Sequence, residues 1–181
     1  MNTGQMMLSI GAVVLLGATV IAVNRSSLQN GTILQQTQIG IYGVSLASSI
    51  IEEAAGKAFD ANTVDDAVTS TSSLSTTLGP ETGETTPANS TTQFDDFDDY
   101  NYLWAHPMKV GATGVDTFTV KAKVYYVSDA NPEVKVTGPT WFKRMDVQVY
   151  GSGVADTSRR KYGIATGDTI KMSYVFSYLN F

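Results

Sequence analysis

The chain has 181 residues, a hydrophobic content of 43% and a formal net charge of −5. This length fits one domain of ordinary size plus a helix. A protein that binds nucleic acid needs a basic surface to neutralise phosphates, so the acidic balance argues against a nucleic-acid partner. Cysteine is absent, which excludes both a disulfide framework and a thiolate metal site.

An uncharged apolar segment lies near the start of the chain. Residues 6–23 read MMLSIGAVVLLGATVIAV, and no charged residue precedes Arg25. Burying its large apolar side chains is worth on the order of 20 kcal/mol relative to water. As a helix, this segment would span roughly 27 Å, close to the thickness of a bilayer core. We predict that it lies in lipid or against other apolar surfaces. A secretory signal peptide is the alternative, although no basic residue precedes the segment.

The residues that follow carry a second, amphipathic helical pattern. Apolar residues recur at three- and four-residue steps, namely Ile39, Tyr42, Leu46, Ile50, Ala54 and Ala58. We therefore predict a single helix over residues 1–60, with an apolar first half and a second half that packs on a domain. Gly31, Gly40 and Gly43 each cost about 1 kcal/mol relative to alanine, so the helix should be weakest there.

Residues 61–107 are predicted to form a Ser/Thr-rich loop followed by an acidic segment. Residues 69–92 consist almost entirely of Ser, Thr, Gly and Pro with two glutamates, a composition that favours an exposed loop. Asn89 begins an Asn-Ser-Thr sequence, which matches the acceptor pattern for N-glycosylation. O-glycosylation of the Ser/Thr run and an unmodified polar loop are the alternatives.

The acidic segment is a candidate metal site. Four carboxylates occur within five residues, at Asp95, Asp96, Asp98 and Asp99. They repel one another unless cations or backbone amides relieve them. Ca²⁺ takes six to eight oxygen ligands and suits such a density of carboxylates. A calcium site is therefore one prediction, and a solvated acidic turn without metal is the other, since the spacing of an EF-hand loop is absent.

The remainder of the chain, residues 108–181, is predicted to form an antiparallel sheet of about four strands. Apolar residues alternate with polar ones, as in Phe118–Tyr126, in Trp141–Val149 and in Ile170–Tyr178. Short turn-rich sequences separate these runs and imply antiparallel neighbours. With the amphipathic half of the helix covering one face of the sheet, the predicted fold class is α+β.

This order of segments resembles the type IV pilin and pseudopilin superfamily. The resemblance is carried by the apolar and then amphipathic helix, by the DDYN run at residues 98–101, and by the KRMDVQV strand at residues 143–149. Gln5 matches the position of the family's early carboxylate. Glutamine can hydrogen-bond a neighbouring amino terminus but cannot neutralise its charge. Alternatively, Gly4-Gln5 corresponds to the family's leader cleavage point.

The resemblance implies a structural subunit that polymerises into an extracellular helical filament. Its implied partners are other copies of the chain, membrane lipid before assembly, and a pilus or secretion assembly machinery. The residues expected in the filament core are Gln5, Met6, Leu8, Ile10, Val13, Val14, Leu16, Val20 and Ile21. A minor pseudopilin of a secretion system is a close variant. A single-span, membrane-anchored surface or periplasmic binding domain is the alternative, and it would need only a flexible tether over residues 28–51.

Catalytic chemistry is poorly represented in the sequence. His106 is the single histidine, and no partner serine is marked by its surroundings. We predict that the chain is not an enzyme and that it has no cofactor other than the candidate calcium ion.

Overall fold

A computed structural model describes residues 2–84, 90–110, 114–151 and 169–178. Helix α1 spans Thr3–Ala55, and the strands are β1 (Leu103–Val110), β2 (Gly114–Tyr126), β3 (Phe142–Gly151) and β4 (Thr169–Ser177). Three short 3₁₀ helices lie between α1 and β1, at Ala61–Thr63, Thr71–Ser73 and Asp98–Tyr100. The α+β class, the long apolar amino-terminal helix and the antiparallel sheet are as predicted. The chain divides into two compact units, Met1–Gly40 and Ile41–Phe181.

Helix α1 ends five residues before the predicted boundary. Its last amides form short three-residue bonds, from Gly56 N to Glu53 O at 3.2 Å and from Lys57 N to Ala54 O at 3.1 Å. Ala58 then pairs with the acidic segment, because its carbonyl accepts the Phe97 amide at 2.9 Å. This distant backbone pairing competes with helical bonds. The periodicity of the sequence does not reveal it.

The strands pair in chain order, β1-β2-β3-β4, and every neighbouring pair is antiparallel. The alternation read from the sequence holds in β2 and β3, where one face is buried and the other contacts solvent. The buried side chains are Phe118, Val120, Ala122, Val124 and Tyr126 of β2, and Lys143, Met145, Val147 and Val149 of β3. Strand β1 begins at Leu103 rather than near residue 108. It includes Pro107, which an edge strand tolerates.

The carboxy-terminal part of α1 packs on this sheet through a narrower face than predicted. Gly43, Ala47, Ile50, Ile51 and Ala54 are buried. Tyr42, placed on the buried face by the sequence pattern, is 47% exposed. The reason is a close approach at Gly43, where a Cβ atom would overlap Cδ1 of Ile170. Near Gly43 and Ala47 the buried face of the helix therefore consists of small residues, and the larger apolar side chains beside Gly43 face outward.

A second cluster of buried residues lies beyond the end of the helix. Phe59, Leu74 and Tyr126 form its centre, and Trp141, Val136, Phe176 and Tyr178 pack around them. The ring of Phe59 lies 5.8 Å from that of Phe176 and 5.4 Å from that of Tyr178. Leu74 belongs to the Ser/Thr-rich loop predicted to be exposed, yet only 3% of its surface is accessible. The loop thus contributes the buried Leu74 and the partly buried Leu78 to this cluster.

Candidate functional site

The first candidate functional surface is the amino-terminal part of α1. Thr3–Gly31 is long and apolar enough to cross a membrane, and the rest of the described chain covers none of its most apolar window. Its large apolar side chains from Met6 to Val23 are 49–77% exposed. Such a surface is compatible with a membrane anchor or a signal sequence, and it requires an apolar environment.

Exposed apolar side chains continue beyond this window. Leu34 is 65% exposed, Ile41 is 63% exposed, and Tyr42 and Val44 are also exposed. Helix α1 runs through this region without a break. The predicted assembly residues from Gln5 to Ile21 therefore lie on one exposed helix. Farther along the same helix, Leu34, Ile41 and Val44 add apolar side chains that the described part of the chain leaves exposed.

The second candidate site is the acidic turn, residues Asp95–Asp99. Asp96 Oδ1 accepts the amides of Asp98 and Asp99, at 2.7 and 3.2 Å. In return, Asp99 Oδ2 accepts the amides of Asp95 and Asp96, at 2.9 and 3.0 Å. These reciprocal bonds fold the segment onto itself. They leave Asp96, Asp98 and Asp99 almost fully buried, which is unusual for carboxylates.

The acidic turn is joined to the end of α1. Tyr100 donates its hydroxyl hydrogen bond to Oε1 of Glu53 at 2.8 Å. Thr91 donates to the same oxygen at 2.7 Å. Burial, followed by the hydrogen bond to Glu53 and its negative charge, raises the pKa of Tyr100. The Tyr100 ring also packs edge-on against Phe94, with centroids 5.1 Å apart. Helix α1 and the acidic turn are thereby held together within the head, which is the compact unit Ile41–Phe181.

A buried lysine, Lys143, lies beside the acidic turn and forms an ion pair with one of its carboxylates, Asp98. Lys143 Nζ contacts Asp98 Oδ1, bonds to Asp60 Oδ2 at 2.8 Å and to the Phe59 carbonyl at 2.7 Å. The side chains of Lys143 and Asp60 are fully buried. The ammonium group also lies 4.6 Å from the centroid of the Phe59 ring. These contacts replace the hydration that the buried cation has lost.

Asp60 accepts further hydrogen bonds in the buried site around Lys143, which we call the lysine pocket. Its Oδ1 accepts the Ser75 hydroxyl at 2.9 Å and the Ser75 amide at 3.1 Å, while Oδ2 lies 3.0 Å from the Tyr126 hydroxyl. Burial acts to raise the pKa of Asp60, but the charge and hydrogen bond of Lys143, with amides from Ser75 and Asn62, outweigh it and lower the pKa. Asp60 is therefore a buried carboxylate, and it fixes the Ser/Thr-rich loop to the head.

The carboxyl groups of the acidic turn differ from Asp60, because their pKa values are raised rather than lowered. Burial, together with the negative charges of Asp98 and Asp99, raises the pKa of Asp96 to about 8. Burial also raises the pKa of Asp98, even though Lys143 opposes the shift. Burial and the charge of Glu84 raise the pKa of Asp99. The negative charge of this turn is thus only partly compensated by Lys143 and by backbone amides.

The structure brings together three of the four predicted calcium ligands. Asp95, Asp96 and Asp99 each offer an oxygen within 4.8 Å of the others. Asp98 is not part of this group, because it pairs with Lys143 and accepts the Gly79 amide at 3.2 Å. A second group joins Asp99 to Glu81 and Glu84 of the Ser/Thr-rich loop. Glu81 and Glu84 were not predicted as calcium ligands from the sequence.

Asp60 and Lys143 were also missed as site residues. The signal for Lys143 was present in the sequence, since it occupies an inward position in the alternating pattern of β3 beside Met145 and Val147. A lysine at such a position predicts a buried partner, but the pattern does not say which carboxylate it meets. Asn89 lies outside the described residues, so the glycosylation prediction remains a prediction.

Comparison with known proteins adds no relative. No family model matches the chain, no curated protein matches its sequence, and no solved structure matches it. The apolar amino-terminal helix and small antiparallel sheet are compatible with a pilin-like fold. Any function must therefore be inferred from the sequence and structure of this chain.

Proposed function

We propose that this chain is a pilin-like structural subunit that polymerises through its amino-terminal helix into an extracellular filament. The observation that carries the proposal is the unbroken helix over residues 28–51, on which large apolar side chains are exposed as far as Val44. A membrane anchor accounts for apolar residues up to about Val23. It does not account for exposed Leu34, Ile41 and Val44 farther along the helix.

In this proposal the apolar helix occupies two environments in succession. Before assembly it lies in the membrane, because the described part of the chain does not cover its side chains. During assembly it leaves lipid and packs against the helices of neighbouring subunits, so apolar burial is retained in both states. Ser9, Gly11 and Gly17 are small, which permits close approach between helices.

The same contact explains why the product would be a fibre. A neighbour that packs on residues 33–44 of one subunit contributes its own apolar segment, so the two surfaces differ. Such a heterologous contact builds an open helical polymer unless the rotation closes into a ring. The heads would then form the outer layer. A minor pseudopilin, which adds only a few copies to a filament made of another chain, is the close variant of this proposal.

The test separates the filament from a simple anchor by mutating two parts of α1. Leu16→Asp places a charge in the membrane segment and should abolish both membrane insertion and filaments. Leu34→Asp lies beyond that segment and should leave the chain in the membrane while abolishing filaments. The measurements are electron microscopy of material sheared from the native cells, mass spectrometry of its main band, and the distribution of the chain between membrane and sheared fractions.

Ser49→Asp is the matched control, because Ser49 is an exposed polar residue of the same helix that lies outside residues 33–44. It should leave filaments unchanged. Normal filaments made of the Leu34→Asp chain would contradict the proposal. If the native chain is membrane-bound but absent from all sheared fibres, it is a membrane-anchored domain instead. Its presence as a minor component of fibres made of another protein indicates the minor pseudopilin.

A further inference from the structure

Two carboxylate oxygens of the acidic turn have no partner. Among the described residues, Asp96 Oδ2 and Asp99 Oδ1 are buried side-chain oxygens that accept no hydrogen bond. The backbone amides of the turn are committed to the other oxygen of each carboxylate. A buried carboxyl oxygen that has neither a hydrogen bond nor a counterion is unfavourable. The fold of the turn therefore leaves two oxygens that a bound cation would satisfy.

The Ser/Thr-rich loop brings two further carboxylates to the same place. Glu81 and Glu84 lie on a turn around Gly83, whose φ of 109° favours glycine. Glu84 Oε2 accepts the Glu81 amide at 2.6 Å, which holds its carboxylate over the turn. One oxygen each from Glu81, Glu84 and Asp99 lie within 4.8 Å of one another. Asp99 thus belongs to both groups of three carboxylates.

Lys143 forms no direct ion pair with the carboxylates of this cluster. Its ammonium contacts Asp98 and Asp60 and the Phe59 carbonyl, so its three hydrogens are already engaged. Asp98 is in turn removed from the carboxylate cluster by that contact. The five remaining carboxylates are Asp95, Asp96, Asp99, Glu81 and Glu84, and no cationic side chain of the described residues forms an ion pair with them.

We propose that this cluster binds one calcium ion at the group formed by Asp99, Glu81 and Glu84, with Asp99 as the buried ligand and the adjoining Asp95 and Asp96 adding negative charge beside it. Calcium binds oxygen at about 2.4 Å, so two ligands on opposite sides of the ion stand about 4.8 Å apart. The observed spacing allows three oxygens to contact one ion. A set made only of carboxylates suits a hard cation, and the irregular arrangement suits calcium better than octahedral magnesium.

The consequence for the head is that calcium connects two segments that are distant in the sequence. Glu81 and Glu84 come from the Ser/Thr-rich loop, whereas Asp95 to Asp99 precede the sheet. Bound calcium would hold the loop against the turn and stabilise the end of the head where α1 ends. This inference does not depend on polymerisation, since every ligand comes from one chain.

The experiment uses the full chain in detergent, stripped with EGTA and then titrated with calcium chloride in a calorimeter. We expect one calcium ion per chain and a melting temperature several degrees higher with calcium than with EGTA. Asp99→Asn should abolish the binding heat. Glu84→Gln, a change on a partly exposed loop that the fold tolerates, should weaken binding roughly tenfold while leaving the melting temperature in EGTA unchanged.

Asp129→Asn is the matched control, because Asp129 is an exposed carboxylate on the turn after β2. It should bind calcium as the native chain does. Absence of binding heat, with identical melting curves in calcium and EGTA, would overturn the proposal. Native affinity in Glu84→Gln would also overturn it, even if Asp99→Asn fails to fold, and so would an equal loss of affinity in the Asp129→Asn control.

Discussion

Asp60 shows how one carboxylate is used to connect three parts of the head. It accepts hydrogen bonds from Ser75 in the loop, from Lys143 in β3 and from the amide of Asn62. Burying both charges costs several kcal/mol per ion, and the direct pairing offsets that cost only if both partners remain. The pocket is therefore sensitive to the loss of either charge, and that sensitivity has a defined dependence on pH.

We predict that Asp60→Asn lowers the free energy of unfolding by about 2 kcal/mol at neutral pH, because a hydrogen bond between two charged groups is replaced by a weaker one. The folded pKa of Asp60 is below its ordinary value. Its stabilising contribution is thus fully present above the unfolded pKa and is lost as the pH falls through the folded pKa. The difference between native and variant chains should therefore shrink in acid.

Urea denaturation followed by tryptophan fluorescence, at pH values from about 7 to about 3, measures this difference. Asp66→Asn changes an exposed carboxylate of the same loop and should alter stability by less than about 0.5 kcal/mol. A difference between native and Asp60→Asn chains that stays constant over the whole range would show that the charge of Asp60 is not what stabilises the pocket.

The residue types of the site can be predicted from the sequence, but the partners of its individual carboxylates cannot. The density of aspartates predicted cation ligands, and Asp95, Asp96 and Asp99 do lie together. Asp98 was assigned to the same group because it is adjacent in sequence. The short 3₁₀ helix at Asp98–Tyr100 turns its side chain toward Lys143 instead. Local composition cannot predict a partner 45 residues away, and the same limit hid Glu81 and Glu84.

At the scale of the elements, the contact between α1 and the sheet depends on a glycine. The sequence suggested that Gly40 and Gly43 both weaken the helix, since each lacks a side chain that favours helical backbone. The structure separates them. A Cβ at Gly43 would overlap Ile170, whereas a Cβ at Gly40 would have no neighbour within 4 Å. Gly43 thus lies in close contact with the sheet, whereas Gly40 has no such contact among the described residues.

We predict different effects for the two alanine substitutions. Gly43→Ala forces Cδ1 of Ile170, the end of a flexible side chain, to move, and we expect this repacking to offset most of the gain of about 1 kcal/mol in helix propensity. Gly40→Ala gains the propensity term alone and should stabilise the helix. Thermal unfolding of both full-length variants in detergent measures the effect. Equal stabilisation by both would mean that Ile170 adjusts without cost.

The existence and type of the elements were more predictable from the sequence than the residues at which they begin and end. The apolar helix and the alternating strands β2 and β3 follow from periodicity, because burial of one face imposes a period of 3.6 or 2 residues. The end of α1 at Ala55 and the start of β1 at Leu103 do not follow from it. Both are set by backbone hydrogen bonds to distant segments, as with Ala58 and Phe97, which have no side-chain signature.

At the scale of the whole molecule, the two compact units differ in where their apolar groups lie. In Met1–Gly40 the large apolar side chains that the structure describes are exposed, from Met6 to Leu34. In Ile41–Phe181 the described residues form a core that begins at Ala47 and includes the sheet, the acidic turn and the lysine pocket. Among the described residues, every buried apolar side chain belongs to the second unit.

We predict that a fragment of residues 41–181 folds on its own and no longer enters membranes. Removing residues 1–40 deletes the apolar segment but none of the buried core, so the fragment should be soluble and should unfold cooperatively in the same temperature range as the full chain in detergent. Calorimetry and sedimentation would measure both properties. Because Ile41, Tyr42 and Val44 remain exposed, the fragment retains part of the surface on which a neighbour would pack but lacks the segment that a neighbour would supply. It should therefore sediment as a monomer. A fragment that is unfolded, or that forms fibres without the apolar segment, would show that the first unit stabilises the head or that assembly uses a different surface.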